Sequence, residues 1–260
     1  MQDDYGNVTL VNVSGIYDEQ PLFIDKLKKG GAGVIDAVSM TGTNGYCDDM
    51  AKENFREMMK EYPTKGIHFI DGGNYHYLTL LWLSLIEEPF DLIVFDNHSD
   101  MQKPAFGDVL SCGGWIRNLV EASGFKGKVT VVGVDKDNID KEMKELGVKF
   151  ITKQTILKKR GQQYGLENEL IDKCWTGKRP VYISVDKDVL DEKEYKTNWN
   201  QGIMSVDELF AIIEDTFEMR KVIGMDICGE MDEAVNSEFG SIYNEINQAV
   251  NMRFLKFRIS

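Results

Sequence analysis

Asp91-Leu92-Ile93-Val94-Phe95-Asp96-Asn97-His98-Ser99-Asp100 is the stretch on which the fold turns. A short apolar run, residues 92–95, is bounded by charge on both sides and empties into Asp96-x-His98-x-Asp100. An unbroken apolar run of this length suits a strand buried on both faces, as in a parallel sheet. In open α/β sheets, ligand-binding groups lie just beyond the carboxyl ends of such strands. Alternate residues of an extended tail share a face, so both carboxylates and the imidazole can converge on one point. Carboxylates with a neutral imidazole, and no sulfur, form a ligand set for a fairly hard divalent ion such as Mn²⁺. The same residues also fit a solvated loop, or an Asp capping the helix that follows. Two further segments separate these readings.

Working outward, strands alternate with helices. Upstream, residues 8–13 read as a strand and 18–29 as a helix, with a second strand at 34–38. Gly30-Gly31-Ala32-Gly33 follows a helix instead of a strand, so it reads as a helix stop and not a phosphate loop. Residues 48–62 have helical spacing, with Asp48 or Asp49 as cap and Pro63 just beyond. A strand at 66–70 runs into Gly72-Gly73-Asn74-Tyr75-His76, and 77–86 is apolar enough for a buried helix. Downstream, helices are expected at 113–122, 138–146, 166–173, 205–219 and 239–251, and strands at 128–134, 148–151, 180–184, 222–227 and 254–257. Ser205 and Glu208 match a capping box. The alternation predicts an α/β fold of three layers, α/β/α, with a mainly parallel sheet between helices. No linker, repeat or low-complexity stretch interrupts residues 1–260, which predicts a single domain.

The chain has 260 residues, 42% hydrophobic, enough for a sizeable core. Its formal net charge of −13 argues against nucleic acid or an anionic membrane surface as partner. Met1-Gln2-Asp3-Asp4-Tyr5 lacks the basic-then-apolar pattern of a secretory signal, and no apolar run is long enough to span a bilayer. Cys47, Cys112, Cys174 and Cys228 are far apart, without zinc-finger spacing, and read as buried small hydrophobes. A cytoplasmic protein is expected.

Three strand ends supply metal-type side chains: His76 from the first, Asp96, His98 and Asp100 from the second, Asp186 and Asp188 from the third. Six such groups are too many for one zinc and fit two ions sharing bridging carboxylates. Two cations holding one water lower its pKa toward neutrality, giving a hydroxide able to attack an unactivated carbon–nitrogen bond. Of the three histidines, His68 falls inside a strand and reads as a core residue.

Asp96-x-His98-x-Asp100, followed by Ser184-x-Asp186-x-Asp188-x-x-Asp191, resembles the signature of the arginase/agmatinase/formimidoylglutamase (ureohydrolase) family. Gly72-Gly73-Asn74-Tyr75-His76 is similar to that family's Gly-Gly-Asp-His element, with one residue inserted. The resemblance covers residues 66–230 and implies an arginase/deacetylase-like fold with two Mn²⁺ per chain. It implies one manganese on His76, Asp96, Asp100 and Asp186, the other on Asp96, His98, Asp186 and Asp188, and Asp100 as the group orienting the bridging hydroxide. It further implies a glutamate that receives the substrate guanidinium; Glu230 in Asp226-Ile227-Cys228-Gly229-Glu230 is the candidate, one residue further from Asp226 than the family pattern. A homo-oligomer, trimer or hexamer, is implied in the same way.

Departures mark a divergent branch. The family's shuttle histidine is not matched by Leu110-Ser111-Cys112-Gly113-Gly114, and its tail-reading asparagine is not matched by Met101-Gln102-Lys103, where Gln102 stands as the candidate substitute. A zinc deacetylase would need a tandem His-His pair, which this sequence lacks. In a metallophosphatase, the Gly-Asn-His element would follow the Asp-x-His motif, and here it precedes it. A glycosyltransferase Asp-x-Asp at Asp186 and Asp188 would leave Asp96 to Asp100 unexplained. A regulator that binds metal or a guanidino ligand without turnover, or a zinc deacetylase-like amidohydrolase as runner-up enzyme, is the alternative. The expected function is hydrolysis of a small guanidino or amidino compound, releasing urea or a related amide. Substrate choice would lie in loops 101–111 and 192–204, and Trp199 and Trp175 could line a pocket, though loop aromatics also pack against the body.

Overall fold

The computed structural model describes residues 4–104, 107–122, 124–161, 165–231 and 240–259. In chain order the elements are β1 (Val8–Asn12), α1 (Pro21–Lys29), β2 (Gly33–Asp36), β3 (Tyr46–Cys47), α2 (Asp49–Met59), β4 (Ile67–Phe69), α3 (Leu78–Leu83), β5 (Asp91–Phe95), β6 (Leu110–Ser111), α4 (Trp115–Glu121), β7 (Val129–Val132), α5 (Lys141–Glu145), β8 (Lys149–Ile151), α6 (Lys153–Lys159), α7 (Gly165–Leu170), β9 (Val181–Asp186), α8 (Val206–Met219), β10 (Val222–Cys228) and α9 (Gly240–Phe254). Eight strands form one sheet in the order β2-β1-β4-β10-β9-β5-β7-β8, and every pairing in it is parallel. Short β3 and β6 pair antiparallel as a separate ribbon.

Strand periodicity of two sorts the core into two faces. Ile93 and Phe95 of β5, with Val181, Ile183 and Val185 of β9, pack toward α1, α8 and α9 through Phe23, Leu27, Leu209, Phe210 and Phe254. Leu92, Val94 and Tyr182 face the other way, against Phe55 of α2, Trp82 of α3 and Trp115 of α4. Both faces are covered, which is why the strands are continuously apolar. The result is the three-layer α/β/α arrangement.

Local signals explain most boundaries. The Asp48 carboxylate accepts the Ala51 N–H at 2.8 Å, starting α2, and the Ser205–Glu208 capping box closes in both directions at α8. The helix expected over 18–29 is divided: a 3₁₀ turn spans Ile16–Glu19, and α1 begins at Pro21. Proline lacks the N–H that would continue the turn and holds Gln20 outside the helical region. The helix expected at 138–146 begins at Lys141, where the Asp140 side chain caps it. Residue 239, the expected start of the last helix, lies outside the described residues, and α9 continues to Phe254.

The strand expected over 254–257 is not formed. Phe254 closes α9, and the Phe257 ring lies 6.0 Å from Phe210 and 4.8 Å from Phe217, covering α8. Its apolar side chains serve helix packing instead of a sheet edge. Helix α6, which shows little apolar periodicity, is set by its Thr152 cap and one buried anchor, Ile156. Strand β9 runs two residues past its expected end, so Asp186 is itself a strand residue.

Candidate metal centre

The middle of the sheet carries the chemistry. Strand β9 lies between β10 and β5, with Phe95 opposite Val185 and Cys228 opposite Asp186. One residue beyond Phe95, Asp96 joins Asp186 and Cys228 in a row across three strand ends, on the α3–α4 face. In each Asp-x-(His/Asp) turn the first carboxylate caps the backbone two residues on. Asp96 Oδ1 accepts the His98 N–H at 2.6 Å, and Asp186 Oδ1 accepts the Asp188 N–H at 2.9 Å. That leaves the Oδ2 atoms turned inward.

His76 enters from the turn after β4 and is 1% exposed. Its Nδ1 lies 3.0 Å from Asp100 Oδ2, 3.3 Å from Asp96 Oδ2 and 3.6 Å from Asp186 Oδ2. On the other side, His98 Nδ1 lies 2.7 Å from Asp188 Oδ2 and 3.5 Å from Asp96 Oδ1. The two groups share Asp96, one oxygen turned to each. Asp186 lies on the His76 side, where it forms a further group with His76 and Cys228. The structure therefore brings His76, Asp96, His98, Asp100, Asp186 and Asp188 together around one cleft.

Neighbouring side chains set the tautomer of His76. Ser184 donates its one hydroxyl proton to Asp226 Oδ1 at 2.6 Å, so its oxygen accepts from His76 Nε2 at 2.9 Å. In the neutral ring the Nδ1 lone pair then faces three carboxylate oxygens. Both His76 Nδ1 and Asp96 Oδ2 are buried without a hydrogen-bond partner. Such a lone pair among anions calls for a cation, and nitrogen with several oxygens is a divalent-metal donor set. The Trp115 indole N–H fixes Asp100 by donating to its Oδ2 at 2.6 Å.

Crowding of anions has the same meaning electrostatically. Burial, then the charges of Asp188 and Asp96, push the Asp186 carboxyl up to about 7. Burial and Asp96 push Asp188 up to about 6, against the pull of His98. Burial works to lower His98, but its contacts with Asp188 and Asp96 outweigh that and carry it to about 12. The centre takes up positive charge, as protons or as metal.

Glu230 is placed differently from its expected role. It is 0% exposed, ion-paired with Lys187, and accepts from Gln20 Nε2 and Asn251 Nδ2 at 2.7 Å each. Lys187 Nζ also donates to Asn251 Oδ1 at 2.8 Å. With both oxygens engaged, Glu230 does not line the cleft and is not free to receive a guanidinium. The extra residue before it, Gly229, has φ 91°, and a Cβ there would stand 2.5 Å from Asp186 Oδ1. Gln102 does line the cleft, against Gly113.

The cleft holds about 290 Å³ and opens past Tyr46, Asn74, Ser111, Cys112 and Trp199. The Trp199 ring meets His98 edge-on at 5.6 Å. Gly73 permits this approach, since a Cβ there would lie 2.8 Å from Trp199 Cδ1. Cys228 is buried, as its reading as a small hydrophobe predicts, but it stands beside Asp186 at the end of a strand that pairs with the Asp186 strand. His68, by contrast, is a core residue as expected: it stacks on Trp82 at 3.9 Å, and burial pushes it down to about 4.

An all-parallel sheet with helices on both faces, and a carboxylate–imidazole cluster at its carboxyl edge, defines an arginase-type α/β fold. The sequence model of the arginase family matches residues 28–231, and the chain belongs to that family, as a divergent member. An uncharacterized protein of Thermotoga maritima is 30% identical over 227 residues, spanning 87% of this chain and 80% of that one. Formimidoylglutamase from Bacillus subtilis superposes with a TM-score of 0.69 at 17% identity, covering 96% of this chain and 85% of that one. Proclavaminate amidino hydrolase from Streptomyces clavuligerus gives 0.66 at 18% identity, covering 97% and 91%. Among the described residues no helix is long and apolar enough to cross a membrane.

Proposed function

We propose that the chain hydrolyses a carbon–nitrogen bond of a linear guanidino or amidino compound, using two divalent metal ions, with Mn²⁺ as the ion that an oxygen-rich donor set suits. The observation that carries this reading is the His76 ring, whose Nδ1 faces Asp96, Asp100 and Asp186 without a hydrogen bond. One ion would be held by His76, Asp96, Asp100 and Asp186, the other by Asp96, His98 and Asp188. When bound, such ions acidify a water and polarise the group under attack. Asp100, locked by Trp115, orients the attacking water and receives its proton on the carboxylate. Ser184 and Asp226 hold His76 in register. Trp199 and Tyr46 shield the cleft mouth from bulk water.

The cleft lining also bears on the substrate. The described residues around it include no lysine or arginine, so a carboxylate tail would meet only neutral donors such as Gln102, Asn74 and Ser111. Trp199 and Tyr46, 41% and 55% exposed, offer ring faces to a cation instead. A guanidino or amidino compound with a neutral or amine tail fits better than an amino acid.

Elemental analysis after Mn²⁺ loading tests the centre: about two ions per chain are expected for shared bridging carboxylates. Urea, ammonia and formamide release should then be measured with agmatine, arginine, guanidino acids and formimidoylglutamate. Turnover of agmatine or another amine-tailed guanidine above the acids is the expected result. Absence of bound metal removes the hydrolase reading, and a single zinc with amide-deacetylating activity replaces it.

A further inference from the structure

The donor set on the two sides of the centre is not the same. Cys228, at the last position of β10, stands in register with Asp186, and its side chain points to the face that carries Asp96 and Asp186. It is 0% exposed, and its Sγ lies 3.3 Å from Asp186 Oδ2. That oxygen is itself 3.6 Å from His76 Nδ1. Ligand atoms of His76, Asp186 and Cys228 all lie within 4.8 Å of one another, and all three residues are buried. The unpartnered His76 Nδ1 is an independent sign that something cationic belongs there. No sulfur is comparably placed in the group formed by Asp96, His98 and Asp188.

We propose that Cys228 is a thiolate ligand of the ion on the His76 side, so that this half of the centre prefers a borderline ion, Zn²⁺, Co²⁺ or Fe²⁺, over Mn²⁺. The inference rests on the two-ion reading above and refines its choice of metal. Ion binding displaces the thiol proton to solvent, and the sulfur lone pair replaces the S–H contact with Asp186. Thiolate ligation selects zinc-like ions, whereas the all-oxygen and imidazole set around His98 accommodates Mn²⁺. The two sides would therefore fill with different metals from a mixture.

The test is the electronic spectrum of the metal-free protein titrated with Co²⁺. A near-ultraviolet sulfur-to-cobalt charge-transfer band should grow in the wild type and in Cys112→Ser, and be missing from Cys228→Ser and Cys228→Ala. Both Cys228 variants should still bind cobalt, and their preference for Zn²⁺ over Mn²⁺ should fall by at least about 10-fold, since altering even the outer-shell partners of a metal's ligands costs that much in affinity. Two cobalt ions bound to wild type without the band would overturn the proposal and leave the two-ion reading intact, with Cys228 reduced to a hydrogen-bond donor. Persistence of the band in both Cys228 variants would overturn it equally. Failure of wild type to bind cobalt at all would overturn both readings together.

Discussion

Replacing Lys187 by Met tests the assignment of Glu230 to the core instead of the substrate site. Lys187 and Glu230 are both 0% exposed and ion-paired, so the substitution leaves a buried carboxylate without its cation. Breaking such a pair from one side costs about 3–5 kcal/mol. Two donors remain for Glu230, Gln20 Nε2 and Asn251 Nδ2, which holds the loss toward the lower end. Asn251 Oδ1, however, loses its Lys187 donor, adding about 1 kcal/mol. The expected total is about 4 kcal/mol, or roughly 8–16 °C in Tm for a protein of this size. Urea denaturation of Lys187→Met, Glu230→Met and the double variant gives the coupling energy directly, and the double variant should recover much of the loss. A Lys187→Met protein within about 0.5 kcal/mol of wild type, at the level of an ordinary surface substitution, would refute the reasoning. So would a Glu230→Gln variant of unchanged stability whose KM alone rises.

Three other outcomes follow from the centre. Asp186→Asn keeps the acceptor for the Asp188 N–H but removes an anion from the His76 side of the centre, so metal content should fall to about one ion or fewer and turnover should vanish in a folded protein; full activity would sink the mechanism. Trp115→Phe removes the donor that fixes Asp100, and calorimetric metal affinity should drop about 10–100-fold; an unchanged affinity would show the contact is idle. The metal-free protein should become more stable as pH falls from 8 to 5. Asp186 at about 7 and Asp188 at about 6 stand above the ordinary value of 3.8, so the folded state holds protons that the unfolded chain releases across this window. His98, raised to about 12 from 6.5, adds stability that is complete below 6.5 and is lost as pH rises. Metal-loaded protein should lose this dependence, because ions replace the protons. A metal-free Tm that declines from pH 8 to 5 would contradict the crowding described here.

The six metal-type residues were legible because their signals are local. A buried strand is an apolar run, and residues two apart beyond its end share a face, so Asp96, His98 and Asp100 converge wherever β5 lies in the sheet. Caps at Asp48 and Ser205 are likewise decided within three residues. Element boundaries were less legible. Pro21 divides a helix through its own missing N–H, whereas Phe257 leaves a would-be strand to cover α8 because packing partners distant in sequence set the outcome.

What the sequence by itself determined was the α/β alternation and the carboxylate and imidazole groups at the strand ends. Strand order, the neighbours of the centre and the fate of Glu230 were decided only by the tertiary structure. Placing β10 between β4 and β9 puts Cys228 beside Asp186, though 42 residues separate them. Gly229 turns the chain so that Glu230 meets Lys187, Gln20 and Asn251, the first two lying 43 and 210 residues away. No window of sequence carries that pairing. A buried carboxylate takes whichever cation and donors the fold delivers, because leaving it unpaired costs more than any local preference can offset.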